Sequence, residues 1–327
     1  MLSFFVQRLL QAALVMVAVG FIAFSLFNFV GDPVALMLPP EATADDRAEA
    51  RKSLGLDQPF YVQFAKFAGN AVQGNFGKSL RVGRPVSQLL VERLPATLEL
   101  ALVAATFALV VGIPLGVFTA LKRDSWLSKA ILTLSLIGVS LPTFLIGIFL
   151  ILTFAVWLGW LPSFGRGAVT QWGGWSTGFA TASGLKALVL PAITLGLFQL
   201  TLILRLVRSE MLEVLRTDYI KFARARGLSD NAVHFGHALR NTLVPVLTIA
   251  GLQLGSIIAF AIVTETVFQW PGMGLLFIQA VQFADIPVMA AYLCLISLIF
   301  VTINLVVDLL YFVVDPRLRT ERSGLGH

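Results

Sequence analysis

Six stretches of the chain are apolar over a length that crosses a lipid bilayer. None of them contains Asp, Glu, Lys or Arg. They cover residues 9–30, 100–121, 130–158, 187–204, 243–264 and 288–307. Because a helix needs about 20 apolar residues to cross the hydrocarbon core, the pattern predicts an all-α membrane protein with six transmembrane helices. The first stretch is longer than the apolar part of a secretory signal and lacks a clear cleavage site, so we expect it to be retained.

Composition agrees with a membrane protein and disfavours several other classes. Of the 327 residues, 57% are hydrophobic and 13% are charged, whereas a soluble domain has about 25% charged residues. The single cysteine, Cys294, excludes an intrachain disulfide, and the three histidines have no clustered carboxylates around them. We therefore expect neither a metal nor a cofactor in this chain. The net charge of +6 is concentrated beside the apolar stretches, which favours membrane topology over nucleic-acid binding.

The distribution of Lys and Arg predicts the orientation in the membrane. Basic residues cluster after the second stretch, in the loop 205–242 after the fourth stretch, and in the tail 317–327, whereas the connection 270–287 has none. Short connections rich in Lys and Arg remain in the cytoplasm. We therefore expect both termini and the loop 205–242 to be cytoplasmic.

The longest connection, residues 31–96, predicts helices outside the membrane. Phe60, Phe64 and Phe67 recur at helical spacing with polar residues between them. We expect a helical extracytoplasmic loop that rests on the outer membrane face. It would separate a first region, 1–30, from a five-helix core, 97–316, that precedes the cytoplasmic tail.

One short motif in this loop bears on nucleotide binding. Gly-Lys-Ser at 77–79 matches the end of a phosphate-binding loop. Val72 stands where the first glycine of that loop is required. The pattern therefore predicts no nucleotide site and no enzymatic activity in this chain.

A basic segment, residues 218–245, lies between the fourth and fifth stretches. Its charges keep it out of hydrocarbon, and Gly227 interrupts its helical pattern. Glycine adopts the left-handed conformation that closes a helix, and Ser229 can cap the next helix. We therefore expect a helix, a sharp turn and a second helix outside the membrane. Ala223, Ala225 and Leu228 are expected to form an apolar side that contacts another protein, with an amphipathic helix on anionic lipid as the alternative.

Short sequence blocks follow one another in a characteristic order along the chain. The basic segment carries ARARGL at 223–228, HALRN at 237–241 and Pro245. The other blocks are GDP at 31–33, LGLDQP at 54–59, RLPATLEL at 93–100, SLPTF at 140–144, WLP at 160–162, RSEMLEV at 208–214 and ETVF at 265–268. Together these blocks resemble the permease subunits of ABC-type importers, within the dipeptide, oligopeptide and nickel group.

The resemblance implies a type I importer permease of the bacterial inner membrane. The implied partners are a second homologous permease, two ATPase subunits that bind ATP and Mg, an extracytoplasmic solute-binding protein, the lipid bilayer and a peptide substrate. The implied ATPase-coupling residues all lie in the basic segment: Lys221, Arg224, Ala225, Arg226, Gly227, Leu228, His237 and Arg240.

Polar and ionisable residues near the apolar stretches are candidates for a substrate pathway. We expect Glu265, Gln253 and Asp308 to contribute to it. The alternative for the carboxylates is snorkelling to the interface or helix capping, and Asp308 could also form an interhelical contact together with Asn304. Glu99 is a further candidate, with the same alternative.

Glycine and proline positions predict how the spans pack and bend. Glycines four residues apart, at 112 and 116 and at 251 and 255, allow close helix approach within one subunit or between two. Pro114 and Pro142 predict kinks.

The pattern and the resemblance together predict a permease subunit that forms half of a peptide pathway. Nickel chelates, glutathione and other small solutes are alternative substrates. A secondary transporter driven by an ion gradient is the alternative from another class. It would need charged or polar groups near the centres of the spans to relay a proton, and the six stretches contain no Asp, Glu, Lys or Arg.

Overall fold

The computed structural model describes residues 2–29, 34, 43–53 and 56–314, most of them helical. Predictions that concern residues 30–33, 35–42, 54–55 and 315–327, which include part of the extracytoplasmic loop and the basic tail, lie outside the described residues.

The elements follow one another as α1 Leu2–Phe29, α2 Ala44–Ser53, α3 Phe60–Val72, α4 Val86–Leu121, α5 Trp126–Ser135, α6 Ile137–Ser140, α7 Thr143–Leu150, a π-helical continuation Ile151–Trp157, β1 Thr170–Trp172, β2 Trp175–Thr177, α8 Ala182–Val214, α9 Asp218–Ala225, a π-helical turn Ala232–Ala238 that continues into α10 Leu239–Val267, α11 Met273–Gln282 and α12 Ile286–Val314. The two short strands form a two-stranded sheet.

The predicted membrane helices are present in the described part of the chain. Five helices, α1, α4, α8, α10 and α12, are long and apolar enough to cross a bilayer. A sixth span results if the bent pair Trp126–Ser140 and Thr143–Trp157 is counted as one. This agrees with the six spans that the hydropathy pattern predicts.

Several helices extend beyond the apolar stretches that predict them. α4 begins at Val86 rather than at residue 100, and α8 continues past residue 204 to Val214. Helical hydrogen bonding does not require apolar side chains, so these helices continue into regions that carry charges. Hydropathy therefore locates the span but not the ends of the helix.

The stretch predicted as the third span forms two helical parts separated by a break. Its two parts are inclined by 110° at Leu141 and Pro142. Leu141 is extended, because proline disfavours the helical conformation of the residue before it, and Pro142 precedes the first turn of α7. The predicted kink at Pro142 is thus a complete break, whereas Pro114 lies within the uninterrupted α4.

The chain folds into two compact units. The first comprises Met1–Thr97, Gly173–Ser176 and Pro271–Thr302, and the second comprises Leu98–Trp172, Thr177–Trp270 and Ile303–His327.

The first unit contains the predicted helical loop. Phe60, Phe64 and Phe67 lie on one face of α3, and their ring centroids are 5.0, 5.6 and 5.6 Å from that of Phe24 in α1. The phenylalanines therefore pack against a helix of the same unit. At the start of α2, the Thr43 hydroxyl and backbone N–H donate to the Asp46 carboxylate, which lowers the pKa of Asp46.

The second unit has a core built on close contact between α4 and α8. A Cβ atom added at Gly116 would lie 2.6 Å from Val207 Cβ, and one added at Gly112 would lie 3.1 Å from Ile203 Cγ2. A Cβ atom at Gly251 would lie 2.8 Å from Val307 of α12. These glycines therefore allow close packing within one subunit, which was one of the two expectations for them.

Candidate functional site

The basic segment folds as the predicted helix, turn and second helix. α9 ends at Ala225, and Gly227 follows with a φ of +77°. The Leu228 N–H donates to the Ala223 carbonyl at 3.3 Å, and the Gly227 N–H donates to the Arg224 carbonyl at 2.9 Å. These two bonds define a Schellman motif, which satisfies carbonyls at the end of the helix. The turn depends on glycine because the left-handed conformation is costly for other residues.

Ser229 starts the second helix, as predicted. Its hydroxyl accepts from the Ala232 N–H at 3.4 Å, and its carbonyl accepts from the Val233 N–H at 3.0 Å. Across the turn, the Asn241 side-chain amide donates to the Tyr219 hydroxyl at 2.6 Å. This hydrogen bond joins the helix before Gly227 to the helix after it.

The inner face of the segment is anchored in the core of the second unit. Ile220, Ala223, Val233 and Ala238 belong to one buried cluster with side chains of α4 and α8. The prediction that Ala223 faces a partner is therefore wrong. Ile220 and Ala223 are three residues apart, so the amphipathic α9 directs both of them to the core of its own subunit.

The outer face of the segment combines cations with exposed aromatic rings. The eight predicted coupling residues are all exposed: Lys221, Arg224, Ala225, Arg226, Gly227, Leu228, His237 and Arg240. Phe222 is 64% exposed beside them, and Tyr219 and Phe235 are also exposed. We call this surface, formed by the eight residues and the three aromatic residues, the docking face. The sequence analysis did not predict that aromatic residues belong to this face. For Phe222 a signal was available, because this residue does not lie on the apolar stripe of α9.

The charges of the docking face are only partly neutralised within the subunit. Lys221 Nζ lies 2.8 Å from Asp218 Oδ1, and the Arg226 guanidinium lies 5.8 Å from the centroid of the Phe222 ring. Among the described residues, Arg224 and Arg240 form no ion pair. An acidic partner surface is therefore complementary to this face.

A hydrogen bond next to the segment joins α8 to the end of α4. Arg208 Nη1 donates to the Thr119 carbonyl at 3.0 Å, in the last turn of α4. A basic side chain at this position satisfies a carbonyl and interacts favourably with the helix dipole. The contact helps to fix α8 where it leads into the basic segment.

A cavity of about 210 Å³ lies among α4, α8 and α10 in the second unit. Most of its lining is aliphatic: Ala105, Ala108, Leu109, Ile203, Leu247, Ala250, Gly251, Leu254 and Ile257. Two carboxamide side chains, Gln199 and Gln253, also line it. Gln199 is 3% exposed, and its Oε1 accepts no hydrogen bond from the described residues.

Of the three predicted pathway residues, only Gln253 lines this cavity. Glu265 is fully buried near the end of α10, and Asp308 is partly buried beside Val307 in α12. Gln199 was not predicted, because an isolated glutamine in an apolar stretch carries little signal in a single sequence.

Glu99 forms a buried ion pair that the sequence did not reveal. Arg166 Nη2 donates to Glu99 Oε2 at 2.6 Å, and the Gly178 N–H donates to the same oxygen at 3.3 Å. The two side chains are 6% and 2% exposed for Arg166 and Glu99. Glu99 therefore holds a loop in place, a structural role that was not among the expectations for this residue. In the described part of the chain, no group of three or more His, Cys, Asp or Glu side chains forms a candidate metal site.

The membrane-crossing helices, with an exposed basic helix–turn–helix between two of them, define this protein as a multi-pass membrane protein. The family model of the binding-protein-dependent transport system inner membrane component matches residues 112–320, and the model of the N-terminal part of such components matches residues 1–101. The chain therefore belongs to this family, which confirms the resemblance. It is a multi-pass permease of the bacterial inner membrane.

Curated relatives match the chain over nearly its whole length. The di/tripeptide transport system permease protein DppB of Pseudomonas aeruginosa is 42% identical over 98% of this chain and 100% of the relative. The oligopeptide transport system permease protein AppB of Bacillus subtilis is 39% identical over 97% and 99%. The glutathione transport system permease protein GsiC of Shigella flexneri is 38% identical over 98% and 99%.

A solved structure shares the fold. The MetNI methionine ABC transporter in an inward-facing conformation has a chain that aligns with a TM-score of 0.55 and 21% identity, covering 69% of this chain and 96% of that one. At this identity the likeness establishes the architecture alone.

Proposed function

We propose that this chain is one of two permease subunits of a peptide importer and that its docking face binds a separate ATPase subunit. The names of relatives at 42% and 39% identity support a peptide substrate. The observation that carries the coupling role is the basic segment itself. Its Schellman turn exposes a cationic and aromatic face, while its inner face is part of the core.

The proposed mechanism transmits movement through this anchored segment. ATP and Mg bind to two ATPase subunits, and closure of that pair moves the docking faces of two homologous permeases. Because Ile220 and Val233 are fully buried in a core shared with α4 and α8, the segment moves with those helices as a rigid body. An extracytoplasmic binding protein delivers the peptide. This chain makes and breaks no covalent bond, and Gln253 contributes to its half of the pathway.

The docking face is tested by combining Phe222→Ala with Arg224→Glu. Central aromatic and arginine residues dominate many interfaces, and losing such a residue costs about 2 kcal/mol or more, which is roughly 30-fold in affinity. We expect the variant to lose most of the ATPase subunits that co-purify with the wild-type complex. Peptide-dependent ATP hydrolysis should fall to the same extent.

Lys129→Glu is the matched control. Lys129 is exposed in α5, on the same predicted cytoplasmic side, and its reversal changes the charge equally. It should retain the ATPase subunits. Full retention by the Phe222 and Arg224 variant, or equal loss in the control, would contradict the docking assignment. Uptake of labelled dipeptides and of labelled glutathione by the intact complex distinguishes the two candidate substrates.

A further inference from the structure

The cavity among α4, α8 and α10 is larger than a packing defect. Protein interiors contain few voids larger than one water molecule, whose share of liquid volume is about 30 Å³. At about 210 Å³ this cavity holds several times that volume. It is smaller than the roughly 300–1,000 Å³ of a site for a whole drug-sized ligand. Its size therefore suits part of a ligand, with the remainder bound elsewhere.

The chemistry of the lining restricts what this part can be. No charged residue lines the cavity among the described residues. An ionised group would lose its hydration there without gaining a counter-ion, which is strongly unfavourable. The lining therefore disfavours the charged termini of a peptide and suits an apolar side chain and an uncharged amide.

Gln199 supplies an unused hydrogen-bonding group at this position. Its side chain is nine-tenths buried, it lines the cavity, and its Oε1 accepts no bond from the described residues. Leaving a buried amide oxygen unpaired is costly, so an N–H donor that enters the cavity is favoured. Gln253 provides a second carboxamide from another helix. Together they offer both acceptors and donors to a peptide group.

We infer that this cavity is a transient subsite for the uncharged part of the transported peptide, where the Gln199 and Gln253 carboxamides pair with a peptide group and the aliphatic wall receives a side chain. This inference rests on the proposed peptide-import function. It assigns part of the selectivity to the permease and not only to the binding protein.

The test uses the complete transporter in proteoliposomes with wild-type binding protein, which is saturated in turn with diglycine and with dileucine. Ala105→Leu places a larger side chain on the cavity wall. We expect it to lower the dileucine-to-diglycine ratio of uptake rates by about tenfold or more, because each methylene group that an apolar pocket accepts or rejects is worth roughly 10-fold to 200-fold. Ala105→Val is the milder second variant and should shift the ratio in the same direction. Any preference of the binding protein cancels when each ratio is compared with the wild-type ratio.

Gln199→Met tests the amide separately, because it keeps a similar length and removes both hydrogen-bonding atoms. We expect uptake of both peptides to fall about threefold to tenfold. Gln279→Met is the matched control. Gln279 is a half-buried glutamine outside the cavity, and its replacement should leave uptake unchanged.

The outcomes separate this inference from the function on which it rests. If the wild-type complex transports neither peptide, the proposed function fails and the subsite fails with it. If the wild-type complex transports both peptides but neither Ala105 variant changes their ratio, the subsite alone is overturned. An equal loss of uptake in Gln199→Met and Gln279→Met also overturns it.

Discussion

Replacing Gly227 with valine is expected to reduce ATP-driven uptake strongly without preventing membrane insertion. The residue has a φ of +77°, and a Cβ atom placed there would meet nothing within 4 Å. The substitution therefore acts on the backbone alone. A side chain in the left-handed region costs roughly 1–2 kcal/mol, and a β-branched residue is especially unfavourable there. We expect the Schellman turn to open and the docking face to lose its geometry, with uptake falling at least about tenfold.

The control for this prediction is Gly227→Asn at the same site. Asparagine has a side chain of comparable size but enters the left-handed conformation readily, so most of the uptake should remain. Both variants are compared with wild type for the amount inserted, the ATPase subunits retained and the uptake rate. Equal uptake by the valine variant and wild type would show that the turn does not couple the subunits. Equal impairment by valine and asparagine would show that bulk, rather than backbone conformation, is what matters.

The features that the sequence predicted well are those fixed by local patterns. The apolar stretches predicted the spans because the bilayer sets their length and composition. The turn at Gly227 and the cap at Ser229 followed from residues within a few positions of each other, since Schellman bonds and N-caps are local. Pro142 predicted a bend for the same reason, although the structure has a complete break there.

The features that the sequence did not predict depend on which faces meet in three dimensions. Ala223 was expected to face a partner, and its burial follows only once the position of the α4 and α8 core is known. The pair of carboxamides in the cavity joins Gln199 of α8 to Gln253 of α10. No periodicity within either helix relates these two positions, so a single sequence could not bring them together.

The buried ion pair also joins residues that are far apart along the chain. Glu99 and Arg166 lie 67 positions apart, and each resembles an ordinary charge beside an apolar stretch. Because both side chains are buried, the loss of either one lowers the stability of the fold. Replacing one member of a buried pair leaves the other charge without compensation and costs about 3–5 kcal/mol.

Glu99→Ala is therefore expected to lower the thermal stability of the purified permease more than a comparable change at the surface. Glu92→Ala is the matched control, because Glu92 is in the same helix and pairs with Arg84 at 45% and 42% exposure. An exposed pair contributes only about 0–1 kcal/mol. The measurement is the unfolding midpoint in detergent for both variants and for wild type. Equal midpoints for Glu99→Ala and Glu92→Ala would contradict a stabilising role for the buried pair.

Removing both charges together distinguishes an uncompensated charge from a loss of packing. In the double variant Glu99→Leu with Arg166→Met, neither ion remains buried, and apolar side chains of similar size fill most of the space. Replacing a whole buried pair in this way is often neutral or stabilising. We therefore expect the double variant to unfold at a higher temperature than either single replacement. If it is less stable than both, the energy of this site comes from specific contacts of the two side chains with the loop that contains Gly178, and not from the burial of charge.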